Sequence, residues 1–456
     1  MKRIKGEIFL PGDKSISHRA VMLSSIAEGT TEIENFLFCE DCLATVNAFR
    51  QMGVRIIAER RAPRTANLRG RQNAERKIIV YGKGLRGLKK PDNPLYLGNS
   101  GTSMRLLAGI LSGQNFSAKL EGDSSLSKRP MQRIIIPLKL MGADIKGKNG
   151  YPPLTIKGKK ELKAIRYKIP VASAQVKSAI LLAGLYAEGE TEVTEIAKTR
   201  DHSERMLKLF GADIKTKGLK CRIKPSPLSS PGKIKIPGDI SSAAFFIIGA
   251  TILPGSHLVL KNVGLNPTRT GIIDVLKRMG GDIKTGNGER GTGNGKYNFM
   301  PAARNPLPAT CFEPVGDIIV QASQLKGIEI KGKIIPRLID EIPVLMVAAC
   351  FAKGETRIKD IGELRKKEVD RIYSLCYNLK KMGAKIKEKE KEVIIKGVQS
   401  LKGERLNSFG DHRTAMALAI AGLKAEGRTI IENSDCIKTS FPDFRKKLNE
   451  LTRITI

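Results

Sequence analysis

Tryptophan is absent from the 456 residues, and aromatic residues together make up 5% of the chain. That sparseness argues against a protein that holds single-stranded nucleic acid by stacking bases on rings. No apolar run reaches the roughly 18 residues a membrane-crossing helix needs. The opening MKRIKGEIFLPGDK is basic, but its apolar stretch stops at Pro11-Gly12, far short of a signal-peptide core. Neither export nor a membrane span is expected, and the cytoplasm is the expected location. Cysteines are few and scattered, seven in all and so an odd number. Cys39 and Cys42 form a CxxC, a spacing used in redox and metal sites. No second pair stands near it, and Glu40 and Asp41 are expected to raise the thiol pKa values. Reduced thiols with no metal are the plainer expectation.

What the chain does have is positive charge: 80 basic against 45 acidic residues give a net +35. Such a field attracts anions and speeds their encounter with the protein, without saying which anion. The length exceeds one ordinary core, so two domains are expected.

The organisation is repetitive. Helical stretches end in nearly the same phrase at Met52-Gly53-Val54-Arg55-Ile56, Met141-Gly142-Ala143-Asp144-Ile145 and Phe210-Gly211-Ala212-Asp213-Ile214. Met279-Gly280-Gly281-Asp282-Ile283 and Met382-Gly383-Ala384-Lys385-Ile386 continue the series. Each reads as an amphipathic helix, a glycine cap and a strand. Upstream of each lies a small-residue helix, a glycine and a β-branched strand, as in SAILLAGLYAEGETEVTE and AMALAIAGLKAEGRTIIEN. Six such units start near residues 14, 99, 173, 238, 340 and 410, and the last lacks its closing strand. Six α/β units of this size predict two domains of three units each. Between them, Arg60 to Lys77 reads as a mobile basic loop, Gly286 to Gly295 as a hairpin loop and Lys387 to Glu392 as a solvated strand edge.

Two glycine-rich stretches are decoys. Gly82, Gly84 and Gly87 have dinucleotide-loop spacing, but Pro91 and Pro94 stand where the helix should begin, so a turn is expected. GTGNGKY near Lys296 lacks the spaced first glycine and the Ser or Thr of a phosphate loop. The stronger signal lies at the starts of the repeat helices. Lys14 and Arg19, Thr102 and Arg105, Gln175 and Lys177, and His412 and Arg413 cluster there. A helix N-terminus offers free N–H groups and a positive dipole end, and cations beside several such ends would make an anion trap. Capping explains the Ser and Thr residues but not the recurrent Lys and Arg. Arg365 to Arg371 is a charge run, and Asp340-Glu341 at the head of an apolar helix are candidates for proton transfer.

PGDKSISHRA, LGNSGTSMR, SAQVKSA, DEIPVL, RKKEVDRI, GDHRTAMA and TSFPDF occur in this order along nearly the whole chain. In this the chain resembles the 5-enolpyruvylshikimate-3-phosphate synthases. The resemblance implies a two-domain inverse α/β barrel-like fold, each domain built of three βαβαββ repeats around a cleft. It places residues 15–235 in one domain, and 1–14 with 236–456 in the other. It implies transfer of the enolpyruvyl group of phosphoenolpyruvate to the 5-hydroxyl of shikimate-3-phosphate, with loss of phosphate and no cofactor or metal. Lys14, Ser15, Arg19, Ser173, Ala174, Gln175, Arg200, Asp340 and Lys367 would hold shikimate-3-phosphate. Lys14, Asn99, Gly101, Thr102, Arg129, Gln175, Glu368, Arg371, His412 and Arg413 would hold phosphoenolpyruvate. Asp340 resembles the residue that takes the hydroxyl proton, Glu368 the one that protonates the methylene, and Lys14 assists both.

Some positions depart from better-known members. Ala174 replaces a frequent second Ser, Glu363 a frequent Asn, and His202 falls near a Tyr position. Lys438 lies one residue before the lysine of the last motif, where Thr439 stands. GDKS, SAQVK, Arg200 to Glu204 and Asn266 to Arg269 resemble the glyphosate-tolerant class, whereas Gly101 leaves room for that inhibitor. Rival readings are a UDP-N-acetylglucosamine enolpyruvyl transferase, whose cysteine loop is not evident, and a basic nucleic-acid-binding protein, for which no recognition motif is present. A monomer acting on small molecules, without a specific nucleic acid or membrane partner, is expected.

Overall fold

The repeated phrases fold as their glycines require. Gly53, Gly142, Gly211, Gly280 and Gly383 all take positive φ, from 82° to 94°, directly after a helix. This left-handed turn is free of strain only for glycine, and it redirects the chain into a strand. A computed structural model describes residues 2–61, 75–290, 297–300 and 312–452.

One strand order recurs. Leu95–Tyr96 lies parallel to Ser117–Glu121, which pairs antiparallel with Tyr151–Lys157, itself antiparallel to Asp144–Lys148. The same parallel-antiparallel-antiparallel order joins Lys233–Lys235, Thr30–Glu34, Glu75–Tyr81 and Arg55–Arg61. It returns in Arg166–Lys168, Thr191–Thr194, Lys220–Ile223 and Ile214–Lys217. Further on it joins Lys5–Phe9, His257–Gly264, Val315–Gln321 and Asp282–Arg290. A fifth copy joins Glu329–Ile330, Glu355–Lys359, Glu392–Lys396 and Lys385–Glu388. The sixth is truncated among the described residues, with only Arg405–Asn407 parallel to Ile430–Glu432. The first strand of the chain and a short strand before residue 236 each complete a sheet begun elsewhere, so the repeats close by parallel pairing between distant segments.

Contacts divide the chain into two compact units. The first comprises Gly12–Ile236 and a short segment ending at Glu313; the second comprises the remainder. Each has its own apolar core. In the first, helices Lys14–Ile26, Gly101–Ser112 and Ala174–Gly184 pack on one another, and in the second Ile240–Ile252, Ile342–Cys350 and His412–Lys424 do so. Ile240–Ile252 and Ile342–Cys350 are buried along their whole lengths, as helices apolar on every side must be. Five of the six begin on a side-chain cap from Asp13, Ser100, Ser173, Asp239 or Asp411. Removing such a cap costs about 1 kcal/mol.

Several expectations change. Residues 236–456 do not all lie in one unit, because Phe312 and Glu313 pack with the first, where Glu313 meets His202. Gly12 to Lys14 also belong to the first. Arg60, Arg61 and Glu75 to Lys77 are strand, not loop: the hairpin extends its ladder to the Arg61–Glu75 pair, and 62–74 lie outside the described residues. Likewise Gly286 to Arg290 continue a strand that pairs antiparallel with Tyr297–Met300, and 291–296 lie outside the described residues. Lys385–Glu388 is an edge strand joined to Glu392–Lys396 by a tight turn. No helix follows Gly82 to Gly87, where a turn leads instead to Leu95.

Candidate active site

In the first unit, polar residues at three helix starts are wired together. Asp13 caps the helix that carries Lys14, accepting from the Ile16 N–H at 3.0 Å. Lys14 ion-pairs with Asp41, near the start of the next helix. Burial opposes the charge on Lys14, but Asp41, Cys39 and Cys42 more than offset it and hold its pKa above the ordinary lysine range. One turn on, Arg19 is 5% exposed. It donates to Ser203 Oγ at 2.7 Å, Ser178 Oγ at 2.9 Å and the Ser15 carbonyl at 3.0 Å. It therefore ties its own helix to Ala174–Gly184 and His202–Leu209.

The second and third helix starts meet at Gln175. Its Nε2 donates to Thr102 Oγ1 at 3.0 Å, and its Oε1 accepts from Arg105 at 2.8 Å. Asn99 donates to Asp123 at 2.9 Å and accepts from Arg129, which also reaches Ser125 Oγ at 3.3 Å. Gly101 lies beneath both arginines: a Cβ there would stand 2.7 Å from Arg105 Nη1 and 3.3 Å from Arg129 Nη1. Ser173 caps its helix by accepting from the Val176 N–H, and Ala174 is the first helical residue. Arg200 sits half-buried just before the cap of the next helix.

A buried triad supports the Arg200 turn. Lys177 Nζ lies 3.1 Å from Glu195 and 2.6 Å from Glu204, and all three side chains are at most 5% exposed. Burial opposes the charge on Lys177, but Glu204 and Glu195 raise its pKa. Glu195 also accepts from the Thr199 N–H at 3.1 Å and from the Thr199 hydroxyl, so it anchors the residue before Arg200.

In the second unit, the carboxylates and cations gather around Arg371, which is 2% exposed. Its Nε donates to Asp411 at 2.7 Å and its Nη2 to Glu368 at 2.5 Å, while Nη1 lies 3.4 Å from Asp340. Burial would lower its pKa, but Asp411, Glu368 and Asp340 raise it above the ordinary arginine value. Asp340 is also 3.8 Å from Lys367 Nζ and 3.7 Å from Arg413 Nη2, and its carbonyl accepts from Arg413 Nη1 at 2.8 Å. His412 begins the helix capped by Asp411 and is 5% exposed. Asp340, Lys367, Glu368, Arg371, His412 and Arg413 are thus near one another. Arg371 is the buried hub of this group. Lys438 stays out, paired with Asp435 on the surface at 2.9 Å, and the Thr439 hydroxyl donates to a local carbonyl.

Other members of these networks carry no sequence signal of their own. His18 stands 2.7 Å from Thr45 Oγ1, which is 2.6 Å from Ser103 Oγ, linking three helices. Burial, with Lys14 and Arg19 nearby, holds its pKa well below the ordinary histidine value. Asp123, Asp411, and Glu313 at 2.5 Å from His202 Nδ1 belong here too. Glu341, the second half of the Asp340-Glu341 pair, is turned away to accept from Ser241, with Arg269 at 4.0 Å.

A family model described as EPSP synthase (3-phosphoshikimate 1-carboxyvinyltransferase) matches residues 1–448. A 3-phosphoshikimate 1-carboxyvinyltransferase of Thermoanaerobacter sp. is 51% identical over 449 residues, covering 98% of each chain. A solved EPSP synthase structure from Acinetobacter baumannii superposes with a TM-score of 0.80 at 45% identity, over 99% of this chain and 96% of that one. The enolpyruvyl transferase NikO from Streptomyces tendae shares the fold, with a TM-score of 0.75 at 17% identity, over 99% of this chain and 95% of that one.

Proposed function

This chain belongs to the EPSP synthase family, and we propose that it transfers the enolpyruvyl group of phosphoenolpyruvate to the 5-hydroxyl of shikimate-3-phosphate. One observation carries the assignment of roles. Anion-binding groups converge on helix starts in one unit, while in the other two carboxylates, Asp340 and Glu368, share one buried guanidinium. Lys14, Ser15, Arg19, Ser173, Ala174, Gln175 and Arg200 serve shikimate-3-phosphate. Asn99, Gly101, Thr102 and Arg129 serve phosphoenolpyruvate, with Lys14 and Gln175 shared. Lys367, His412 and Arg413 complete the anion contacts.

The chemistry follows from charge. Glu368 delivers a proton to C3 of phosphoenolpyruvate, C2 becomes electrophilic, and the 5-hydroxyl attacks as Asp340 takes its proton. The tetrahedral intermediate carries two phosphates and a carboxylate, and the lysines and arginines stabilise that charge; phosphate then leaves as C3 gives up a proton, restoring the enol ether. Arg371 acts through the carboxylates it holds. Arriving anions compete with Asp340 for Lys367 and Arg413, which loosens the carboxylate for its role as base.

Free thiols among the described cysteines fit a reducing cytoplasm. No described helix is long and apolar enough to cross a membrane. A monomer is proposed, to be checked by sedimentation. The deciding assay is phosphate release that requires both phosphoenolpyruvate and shikimate-3-phosphate. Release with UDP-N-acetylglucosamine in place of shikimate-3-phosphate would overturn the reading.

A further inference from the structure

The CxxC stands beside the lysine assigned to both substrates. Cys39 is the N-cap of helix Glu40–Gln51, and Cys42 is in its first turn. Asp41, between them, is the ion-pair partner of Lys14. Cys42 Sγ is also 3.9 Å from the Lys14 carbonyl oxygen.

We propose that Cys39 and Cys42 are a thiol–disulfide pair whose oxidation disables Lys14. Cys39 is in extended backbone at the N-cap and Cys42 is in the first turn, and a disulfide between them needs Cβ atoms roughly 3.5–4.5 Å apart. A small tightening of one helical turn therefore closes the bond, and that turn carries Asp41. Oxidation also removes the Cys39 sulfur as a group whose thiolate form Lys14 favours. Both changes alter how Lys14 is held, so the consequence for turnover rests on the role assigned to Lys14 above.

The two thiols are poised differently. Burial acts to raise both, but the Cys42 hydrogen bond and the Lys14 charge bring Cys39 below its ordinary value, while Cys42 is held well above. Asp41 acts to raise both thiols as expected, but at Cys39 the effects of Cys42 and then of the Lys14 charge outweigh it. Elsewhere burial pushes Cys221, Cys350 and Cys376 up to about 12 and Cys436 up to about 11. Cys39 is the nucleophile of the pair and Cys42 the resolving thiol. Both are at most 1% exposed, which favours a small oxidant such as a peroxide over a bulky disulfide. The Cys39 thiolate attacks hydrogen peroxide, an S–O bond forms as the O–O bond breaks, and the departing hydroxide is protonated to water. Cys42 sulfur, losing its proton, then displaces a second water. Two thiols lose two electrons, and one peroxide becomes two waters.

The test treats full-length protein with hydrogen peroxide and follows mass and turnover together. Intact mass should fall by a pair of hydrogens, digestion after alkylation should give a linked Cys39–Cys42 product, and kcat/KM should drop by roughly tenfold or more. Dithiothreitol should restore both. Cys39→Ser with Cys42→Ser should show no peroxide-dependent, dithiothreitol-reversible loss of whatever turnover it has; the wild-type reversal stands alone if that variant folds poorly. Failure of the linked product to form while other thiols oxidise would overturn the pairing. Its formation with unchanged turnover would overturn the coupling to Lys14. Absence of turnover in the reduced protein would instead count against the assigned function, and the mass readout would still judge the pair.

Discussion

Single residues in this site work through charge partners within reach of one another. Asp340 has three cations within 4.0 Å, so its carboxylate is positioned by attraction from three directions. Asp340→Asn keeps the shape and removes the proton acceptor. Turnover should fall by about 10²–10⁴-fold, with shikimate-3-phosphate affinity by calorimetry changed far less; near-normal turnover would remove Asp340 from the mechanism. Gly101 makes a different point. The added methyl of Gly101→Ala would press first on the guanidinium groups of Arg105 and Arg129, and Arg105 is itself tethered to Gln175. Repacking of that kind costs roughly 1–3 kcal/mol. The KM for phosphoenolpyruvate should therefore rise, and inhibition by glyphosate, the longer anion, should weaken more. Equal inhibition of wild type and variant would show that the arginines absorb the methyl without consequence.

At the scale of one element, Asp411 joins a helix cap to the buried hub. Its Oδ1 accepts from the Thr414 N–H at 2.8 Å while its Oδ2 holds Arg371. Asparagine would keep the capping oxygen but leave Arg371 short of one charge, and breaking a buried pair costs about 3–5 kcal/mol. Burial acts to raise the Asp411 pKa, yet Arg371 and His412 bring it below the ordinary aspartate value. A carboxylate with a depressed folded pKa stabilises above its unfolded value, about 3.9, and loses that contribution as pH falls through the folded value. Urea melts should thus show Asp411→Asn well below wild type at neutral pH, with the gap narrowing below about pH 4. A gap independent of pH would mean that the charge of Asp411 contributes nothing. The Lys177 triad plays a similar part for the Arg200 turn. Glu195→Ala should raise the KM for shikimate-3-phosphate more than it lowers kcat, because it frees Thr199 without touching either carboxylate at Arg371.

For the whole molecule, the net charge of +35 acts on two polyanionic substrates. Steering of this kind raises encounter rates and is screened by salt, with a Debye length near 10 Å at 0.1 M and near 3 Å at 1 M. kcat/KM should decline steeply as potassium chloride rises from about 0.05 to about 0.5 M, while kcat, which excludes encounter, moves little. A flat kcat/KM would show that the field does not limit capture.

The repeat plan was legible in the sequence because it is local: a glycine with positive φ follows five of the repeat helices, and residues at a helix start present their N–H groups wherever the helix lies. The helix starts near 14, 99, 173, 238, 340 and 410 and the truncated sixth sheet follow from the same patterns. Asp340, Glu368 and Arg371 could be named from short motifs, yet their joint charge network could not. Asp411 reaches Arg371 across 40 residues, and Lys177 reaches two glutamates from different segments. Nothing in the order of residues marked Glu313 as the partner of His202, more than a hundred positions earlier, or Asp123 as the support of Asn99. Local conformational rules act over a few residues and survive in sequence. The pairing of buried charges depends on which distant segments the packed core brings within hydrogen-bond reach, and only the tertiary structure decides that.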